Sequence, residues 1–152
     1  MAEPLKASYG QEKIEYVADL IGAVHDIDRD TFVRRAFDGF EDAELMARSQ
    51  LIADALAEAL PADRGRALEV IVEALRAESA RSDGVDTLVG VEAFRFLPFV
   101  QFVRDHGLDD FEPAMHAQYE LTQRFTAEFS IRPFLVDHRD ATLAWLAEWT
   151  GD

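Results

Sequence analysis

A row of alternating charges runs through the segment that leads into the last third of the chain. Glu120, Arg124, Glu128 and Arg132 are spaced four residues apart, so on an α-helix they form one stripe. The adjacent stripe is apolar and contains Leu121, Phe125 and Phe129. The spacing predicts a helix in which one carboxylate, that of Glu128, lies between two guanidinium groups.

Pro133 sets the expected end of this helix, because the residue before a proline is steered away from helical angles. We expect the helix to end near Ser130 or Ile131 and Pro133 to open the next helix from its first turn. Glu128 would then lie in a last turn, where the helix dipole disfavours a carboxylate and the two flanking guanidinium groups favour it. A carboxylate held in this way stays ionised with a fixed orientation. The alternative is a solvated ladder of ion pairs, each worth roughly a few tenths of a kcal/mol.

The remaining polar residues give no second catalytic pattern. The chain has four histidines, His25, His106, His116 and His138. No two of them have helical ligand spacing, so no zinc site is predicted. The segment HDIDRD has alternating aspartates like a calcium loop, but Thr31 and Phe37 occupy the positions where such a loop needs glycine and glutamate. The motifs of serine hydrolases, Walker loops and dinucleotide folds are missing from the sequence.

Length and composition indicate one domain with a packed core. The chain has 152 residues, 49% of them hydrophobic, and no cysteine, so disulfides and thiolate metal sites are excluded. No apolar run is long enough to span a bilayer, and we therefore expect a cytoplasmic protein. Thirty acidic residues against fifteen lysines and arginines give a net charge of −15. Such a chain repels DNA at long range unless its arginines gather on one surface.

Apolar residues at helical spacing predict an all-α fold with no strands. The predicted helices cover 11–25, 31–39, 41–60, 63–79, 92–106 and 111–130, with a closing pair at 133–138 and 140–149. Residues 1–10 are predicted to form an arm and 82–90 a long loop. From periodicity alone, a helical bundle and an α-solenoid are equally compatible with this pattern.

Particular residues are expected to begin and end these helices. Asp30 is the predicted N-cap of the second helix, and Asp109 or Asp110 that of the helix at 111–130. Gly107 is the predicted C-cap of the helix before it, and Pro98 is expected to kink or delay that helix. The phenylalanines of this aromatic-rich helix are too numerous for a stacking platform and are predicted to be core. They are Phe94, Phe96, Phe99 and Phe102.

Four segments of the sequence resemble the bacterial DNA alkylation repair proteins of the AlkC type. These proteins are helical-repeat DNA glycosylases that remove N3-methylated bases. The segments are EPLKASYG (3–10), ELMARSQLIADALAEALP (44–61), LPFVQFVRDHGLDDFEPAM (97–115) and TQRFTAEFSIRPFL (122–135). They occur in the family's order over nearly the whole chain. Relatives of this kind continue for further helical repeats, so residues 1–152 are expected to be one helical domain that forms the N-terminal part of a longer protein, or a naturally short member.

The resemblance implies a fold, an activity and a set of site residues. The fold is a HEAT-like α-solenoid of stacked antiparallel helices, and the activity is hydrolysis of the N-glycosidic bond of a 3-methyladenine type of base in double-stranded DNA, without cofactor or metal. The family's glutamate falls on Glu128, the implied catalytic carboxylate, which can stabilise the oxocarbenium ion or position water. Arg124 and Arg132 would support it or bind phosphate. The candidate DNA contacts are Lys6, Tyr9, Trp145 and Trp149.

Each of these assignments has a structural alternative. Trp145 and Trp149 are more commonly packing residues between helices, and Lys6 and Tyr9 could tie down the N-terminus. A second function for the whole chain is a non-catalytic acidic helical scaffold that binds a basic protein partner. The position of the arginines distinguishes the two functions. Clustering of Arg34, Arg35, Arg48, Arg124 and Arg132 on one face would favour DNA.

Overall fold

The computed structural model describes residues 10–81, 94–123 and 128–149, and within them it leaves out the side chains of 79–81 and 128–131. These residues form eight α-helices and contain no strand, which confirms the all-α prediction. The helices are α1 Gln11–Gly22, α2 Arg29–Phe37, α3 Leu45–Ala59, α4 Arg64–Arg81, α5 Leu97–His106, α6 Phe111–Thr122, α7 Glu128–Asp137 and α8 Arg139–Trp149. The predicted arm and the predicted loop at 82–90 lie outside the described residues.

The helices stack in two layers. Along one layer α2 packs on α3, α3 on α5 and α5 on α7, while along the other α1 packs on α4, α4 on α6 and α6 on α8. Contacts of α1 with α2, α5 with α6 and α7 with α8 join the two layers. Helices that pair across layers and repeat along them form a solenoid-like stack. The structure therefore agrees with the predicted stacked helices.

The core lies between these layers and follows the apolar periodicity of the sequence. Ile14, Val17 and Ile21 of α1 are completely buried, as are Leu68, Ile71 and Leu75 of α4. Residues three or four apart share one helical face, so these residues form an inward stripe on each of the two helices. Helix α5, by contrast, is buried at every position from Leu97 to Val103. Phe96, Phe99 and Phe102 are fully buried and Phe94 is partly buried against them, which confirms that these rings are core.

One predicted N-cap position differs from the structure and another is confirmed. Asp28, not Asp30, caps α2, because its backbone is extended and its Oδ1 accepts a hydrogen bond from the Thr31 backbone N–H at 3.1 Å. That hydrogen bond also lowers the pKa of Asp28 below its usual value. Asp110 does occupy the N-cap position of α6, but its side chain makes no capping hydrogen bond there.

Pro98 and Gly107 bound α5 as predicted. The helix begins at Leu97 with Pro98 in its first turn, where the missing N–H costs nothing, so the proline delays the helix and does not kink it. Gly107 is the C-cap, with its backbone N–H bonded to the Val103 carbonyl at 2.9 Å. Over the described residues, no helix combines the length and apolar character needed to cross a membrane.

Candidate active site

Two of the seven predicted site residues lie in α7. Glu128 belongs to this helix, and Arg132 lies one turn later with an exposed side chain. Residues four apart share a helical face, so these two positions lie on the same side of α7. Arg124, Lys6 and Tyr9 lie outside the described residues, and the Glu128 carboxylate is not described.

The predicted helix boundary at Pro133 is wrong. Pro133 lies inside α7, which runs from Glu128 to Asp137, and the preceding helix ends at Thr122 instead of near Ser130. A proline removes one helical hydrogen bond, yet the residue after it, Phe134, is fully buried. Its carbonyl accepts a hydrogen bond from the Thr142 hydroxyl of α8 at 3.2 Å. Packing of α7 against its neighbours therefore outweighs the local preference against helix before proline.

This boundary changes the helix to which Glu128 belongs. The sequence placed this residue in the last turn of the helix that precedes Pro133. In the structure Glu128 and Pro133 belong to the same helix, α7, and the helix before it ends at Thr122.

Glu120, the first member of the predicted charge ladder, is not solvated. It is only 9% exposed, and its Oε2 accepts a hydrogen bond from Nε of Arg76 in α4 at 3.1 Å. Local spacing does not reveal this partner, because Arg76 is 44 residues away in the chain. The available signal was local: Glu120 adjoins buried Leu121 and lies three residues from buried Ala117, on the inner face of α6.

Both tryptophans pack in the seam between α6 and α8. The Trp145 ring meets His116 edge-on with centroids 5.0 Å apart, and the Trp149 ring is tilted against Tyr119 at 5.6 Å. Both indoles are half-buried and Tyr119 remains 38% exposed. The structure thus gives the indoles a packing role and leaves part of each ring on the surface.

A cleft of about 400 Å³ lies beside this seam, between α4 and α6. Its lining is Glu69, Val72, Glu73, Arg76, Glu112, Pro113 and His116. Three glutamates against one arginine make the cleft acidic, and that arginine also pairs with Glu120. In the described part of the chain no group of three or more histidine and acidic side chains is arranged to hold a metal ion.

Clustering of five arginines was expected to distinguish DNA binding from a scaffold function. The four of them that the structure describes belong to one layer of the stack. Arg34 and Arg35 lie in α2, Arg48 in α3 and Arg132 in α7, all in the layer formed by α2, α3, α5 and α7. Two of these arginines interact with nearby carboxylate or carbonyl groups. Arg35 pairs with Glu58, and Nε of Arg48 donates to the Ala43 carbonyl at 2.9 Å. Arg124, the remaining member, lies outside the described residues.

The comparison with solved structures includes a protein that this chain resembles over nearly its full length. It is the Pseudomonas fluorescens alkylpurine DNA glycosylase AlkC bound to DNA containing an abasic site analog. The match has a TM-score of 0.77 and 26% sequence identity, and it covers 99% of this chain and 39% of that chain. No family model and no curated relative matches the sequence.

The chain therefore spans well under half the length of the structure that it matches. The match in fold covers the eight described helices, α7 with Glu128 among them. It confirms, from backbone geometry, the family resemblance inferred from four segments of the sequence. The described residues have an AlkC-type helical fold.

Proposed function

We propose that this chain acts in DNA repair as part of a glycosylase that hydrolyses the N-glycosidic bond of N3-alkylated bases of the 3-methyladenine type. The observation that carries the proposal is the fold match, over 99% of the chain, to an alkylpurine DNA glycosylase bound to DNA. That protein is longer than this chain. The chain therefore contributes to the proposed site only those residues that lie on its own helices. The cytoplasm, where DNA is accessible in bacteria, is the proposed location.

The proposed chemistry needs no cofactor. An N3-alkylated adenine already carries positive charge, so the glycosidic bond breaks with its electron pair moving to the base, which leaves as a neutral molecule. The sugar becomes an oxocarbenium ion, and a water molecule adds to C1′ and releases a proton. A carboxylate near C1′ stabilises the developing charge or orients the water, and we assign this role to Glu128.

The position of Glu128 supports this assignment. Glu128 lies in α7, a helix whose Phe134 is fully buried, so packing holds the backbone that carries the proposed carboxylate. Arg132 is one turn away on the same face, and with Arg124 it is proposed to hold the carboxylate or to bind a DNA phosphate. Lys6, Tyr9 and the exposed parts of Trp145 and Trp149 are the proposed further DNA contacts.

The test is single-turnover release of 3-methyladenine from methylated double-stranded DNA at low salt. Wild-type chain is compared with Glu128→Gln, which keeps the shape of the side chain and removes its charge. We expect release by wild type and a fall in rate on the order of 100-fold in the variant, as for loss of one electrostatic stabiliser. Glu112→Gln, an exposed glutamate of the acidic cleft, is the matched control and should release base at the wild-type rate.

An acidic scaffold for a basic protein is the second candidate, and two observations favour it. The net charge is −15, and many described arginines already pair with carboxylates. These arginines are Arg29, Arg35, Arg66, Arg76, Arg95 and Arg104. The two functions separate in a binding titration: absence of both base release and affinity for abasic-site DNA, together with salt-sensitive binding of a lysine-rich peptide, would replace the glycosylase with the scaffold.

A further inference from the structure

Helix α8 is apolar on two opposite faces. On its inner face Trp145 and Trp149, four residues apart, pack against rings of α6. On its outer face Leu143 and Ala144 lie four and three residues before Ala147, and all three are exposed, Leu143 to 44%. A helix that is apolar all round is typical of the interior of a protein. The outer face of α8 is therefore suited to contact with another protein surface.

The two ends of the helical stack differ in polarity. At the first end, the exposed side chains of α2 are all polar, which is what the terminal repeat of a stack needs for solubility. They are Arg29, Asp30, Thr31, Arg34 and Arg35. At the last end, Val136 of α7 is 80% exposed and Leu143 of α8 is 44% exposed. The main contacts of α7 are with α5 and α8, and those of α8 are with α6 and α7, so the apolar residues lie at the end of the stack and not between repeats.

The charges around this end of the stack nearly balance. The exposed charged side chains described on α7 and α8 are two arginines and three carboxylates, namely Arg132, Arg139, Asp137, Asp140 and Glu148. The connection between α2 and α3, residues 38–44, instead has four carboxylates and no basic residue. Two copies of a chain with a net charge of −15 repel each other at long range. A nearly neutral apolar face is where such copies can approach with little local repulsion.

We propose that the outer face of α8, together with Val136 of α7, docks on the same face of a second copy of this chain. A two-fold dimer is the commonest symmetric assembly, and it brings one patch against itself. Ala144 is the middle residue of α8, which runs from Arg139 to Trp149, so it would lie near the two-fold axis. Its small side chain lets two helix axes come within about 8–10 Å. This dimer does not depend on the proposed glycosylase function.

The size of the face indicates a weak dimer. Helix α8 has 11 residues and is therefore about 16 Å long. Stable interfaces bury about 800 Å² on each partner, and a pair of short helices lies at the small end of this range. We expect a dimer Kd on the order of 10 µM. Sedimentation equilibrium at concentrations on both sides of this value measures it.

Two substitutions at equally exposed apolar residues locate the interface. Leu143→Glu places a carboxylate on the outer face of α8, and Met46→Glu places one on α3, where Met46 is 43% exposed. Both changes add the same charge to the surface, but only a charge at the interface is buried opposite its own copy. We expect Leu143→Glu to raise the dimer Kd by about tenfold or more and Met46→Glu to leave it unchanged. Circular dichroism checks that both variants keep their helices.

Single cysteines test the geometry, because the natural chain has none. A disulfide requires Cα atoms about 4.4–6.8 Å apart, a distance that residues beside a two-fold axis can reach. Ala144→Cys is compared with Ala47→Cys, a change at an exposed alanine of α3. With oxidised glutathione as the oxidant, Ala144→Cys should give the covalent dimer at least about tenfold faster than Ala47→Cys.

Three results would overturn the second copy as the occupant of this face. One is a wild-type chain that stays monomeric well above the expected Kd, which would leave the face to a helix of another protein. Another is an equal weakening of the dimer by Leu143→Glu and Met46→Glu, and the third is equal rates of covalent dimer formation by the two cysteine variants. None of these measurements uses base release, so a failure of the glycosylase proposal would not affect them.

Discussion

At the scale of single residues, Gly107 shows how closely α5 and α6 approach each other. Its backbone φ is −97°, a value that any residue adopts, so the glycine is not needed for a left-handed conformation. A Cβ atom built at this position would lie 2.8 Å from the Val103 carbonyl oxygen and 3.1 Å from the Ala114 Cβ. Both neighbours are backbone or first side-chain atoms and cannot turn away. Close approach is therefore the reason for a glycine here.

Gly107→Ala is expected to destabilise the protein by about 1–3 kcal/mol, the usual cost of forcing an extra carbon into a packed site. The measurement is the free energy of unfolding in urea. Gly22→Ala is the control, because a Cβ at this residue of α1 meets no atom within 4 Å. That change should be stabilising by about 0.4–1 kcal/mol through the unfolded chain. Equal effects of the two substitutions would contradict the close-contact explanation.

At the scale of helices, the interface of α3 and α5 contains a buried polar pair within an apolar surface. The Ser49 hydroxyl donates to the Gln101 side-chain oxygen, and the Gln101 amide nitrogen donates to the Met46 carbonyl at 3.3 Å. Both side chains are at most 2% exposed. A buried polar group without a partner is costly, so each residue needs the other to satisfy its hydrogen bonds.

This mutual requirement predicts a non-additive result in a double-mutant cycle. Gln101→Leu and Ser49→Ala are each expected to lower the free energy of unfolding, by about 1–3 kcal/mol, because each leaves one buried polar group unsatisfied. The double variant should cost less than the sum of the two by at least about 0.5 kcal/mol. Strict additivity would show that the two groups do not depend on each other across α3 and α5.

At the scale of the whole molecule, charge opposes compactness. A net charge of −15 on 152 residues makes the carboxylates repel one another in the folded state more than in the expanded chain. The ion pairs of Arg29 with Asp19 and of Arg35 with Glu58 offset only part of this repulsion, since their side chains are largely exposed.

Salt should therefore stabilise the fold. Raising NaCl from about 10 mM to about 150 mM shortens the screening length from roughly 30 Å to roughly 8 Å, which weakens the long-range repulsion more than the close ion pairs. We expect the midpoint of thermal unfolding to rise by about 2–4 °C, which is the shift produced by about 1 kcal/mol in a domain of this size. KCl at the same ionic strength should have the same effect. A fall in the midpoint would mean that the ion pairs contribute more than the repulsion costs.

The sequence by itself determined which segments are helical and which residues are core. Apolar residues three or four apart specify the buried stripe of a helix from local information alone, and this correctly placed Ile14, Val17 and Ile21 in the core. The wording of four segments also indicated the AlkC-type fold, which the structural match confirms. The catalytic role proposed for Glu128 also rests on the resemblance in sequence, and it stays a prediction.

Only the tertiary structure decided which helices the four alternating charges belong to, and which residue of another helix pairs with Glu120. Local rules ended a helix before Pro133, but burial of Phe134 between its neighbours keeps the proline inside α7, in the same helix as Glu128. Local spacing also treated Glu120 as solvated, whereas α4 encloses it and supplies Arg76. Helical periodicity reports contacts within one element. The energies that fix Glu120 and α7 come from residues far apart in sequence, which pack together only when the layers have formed.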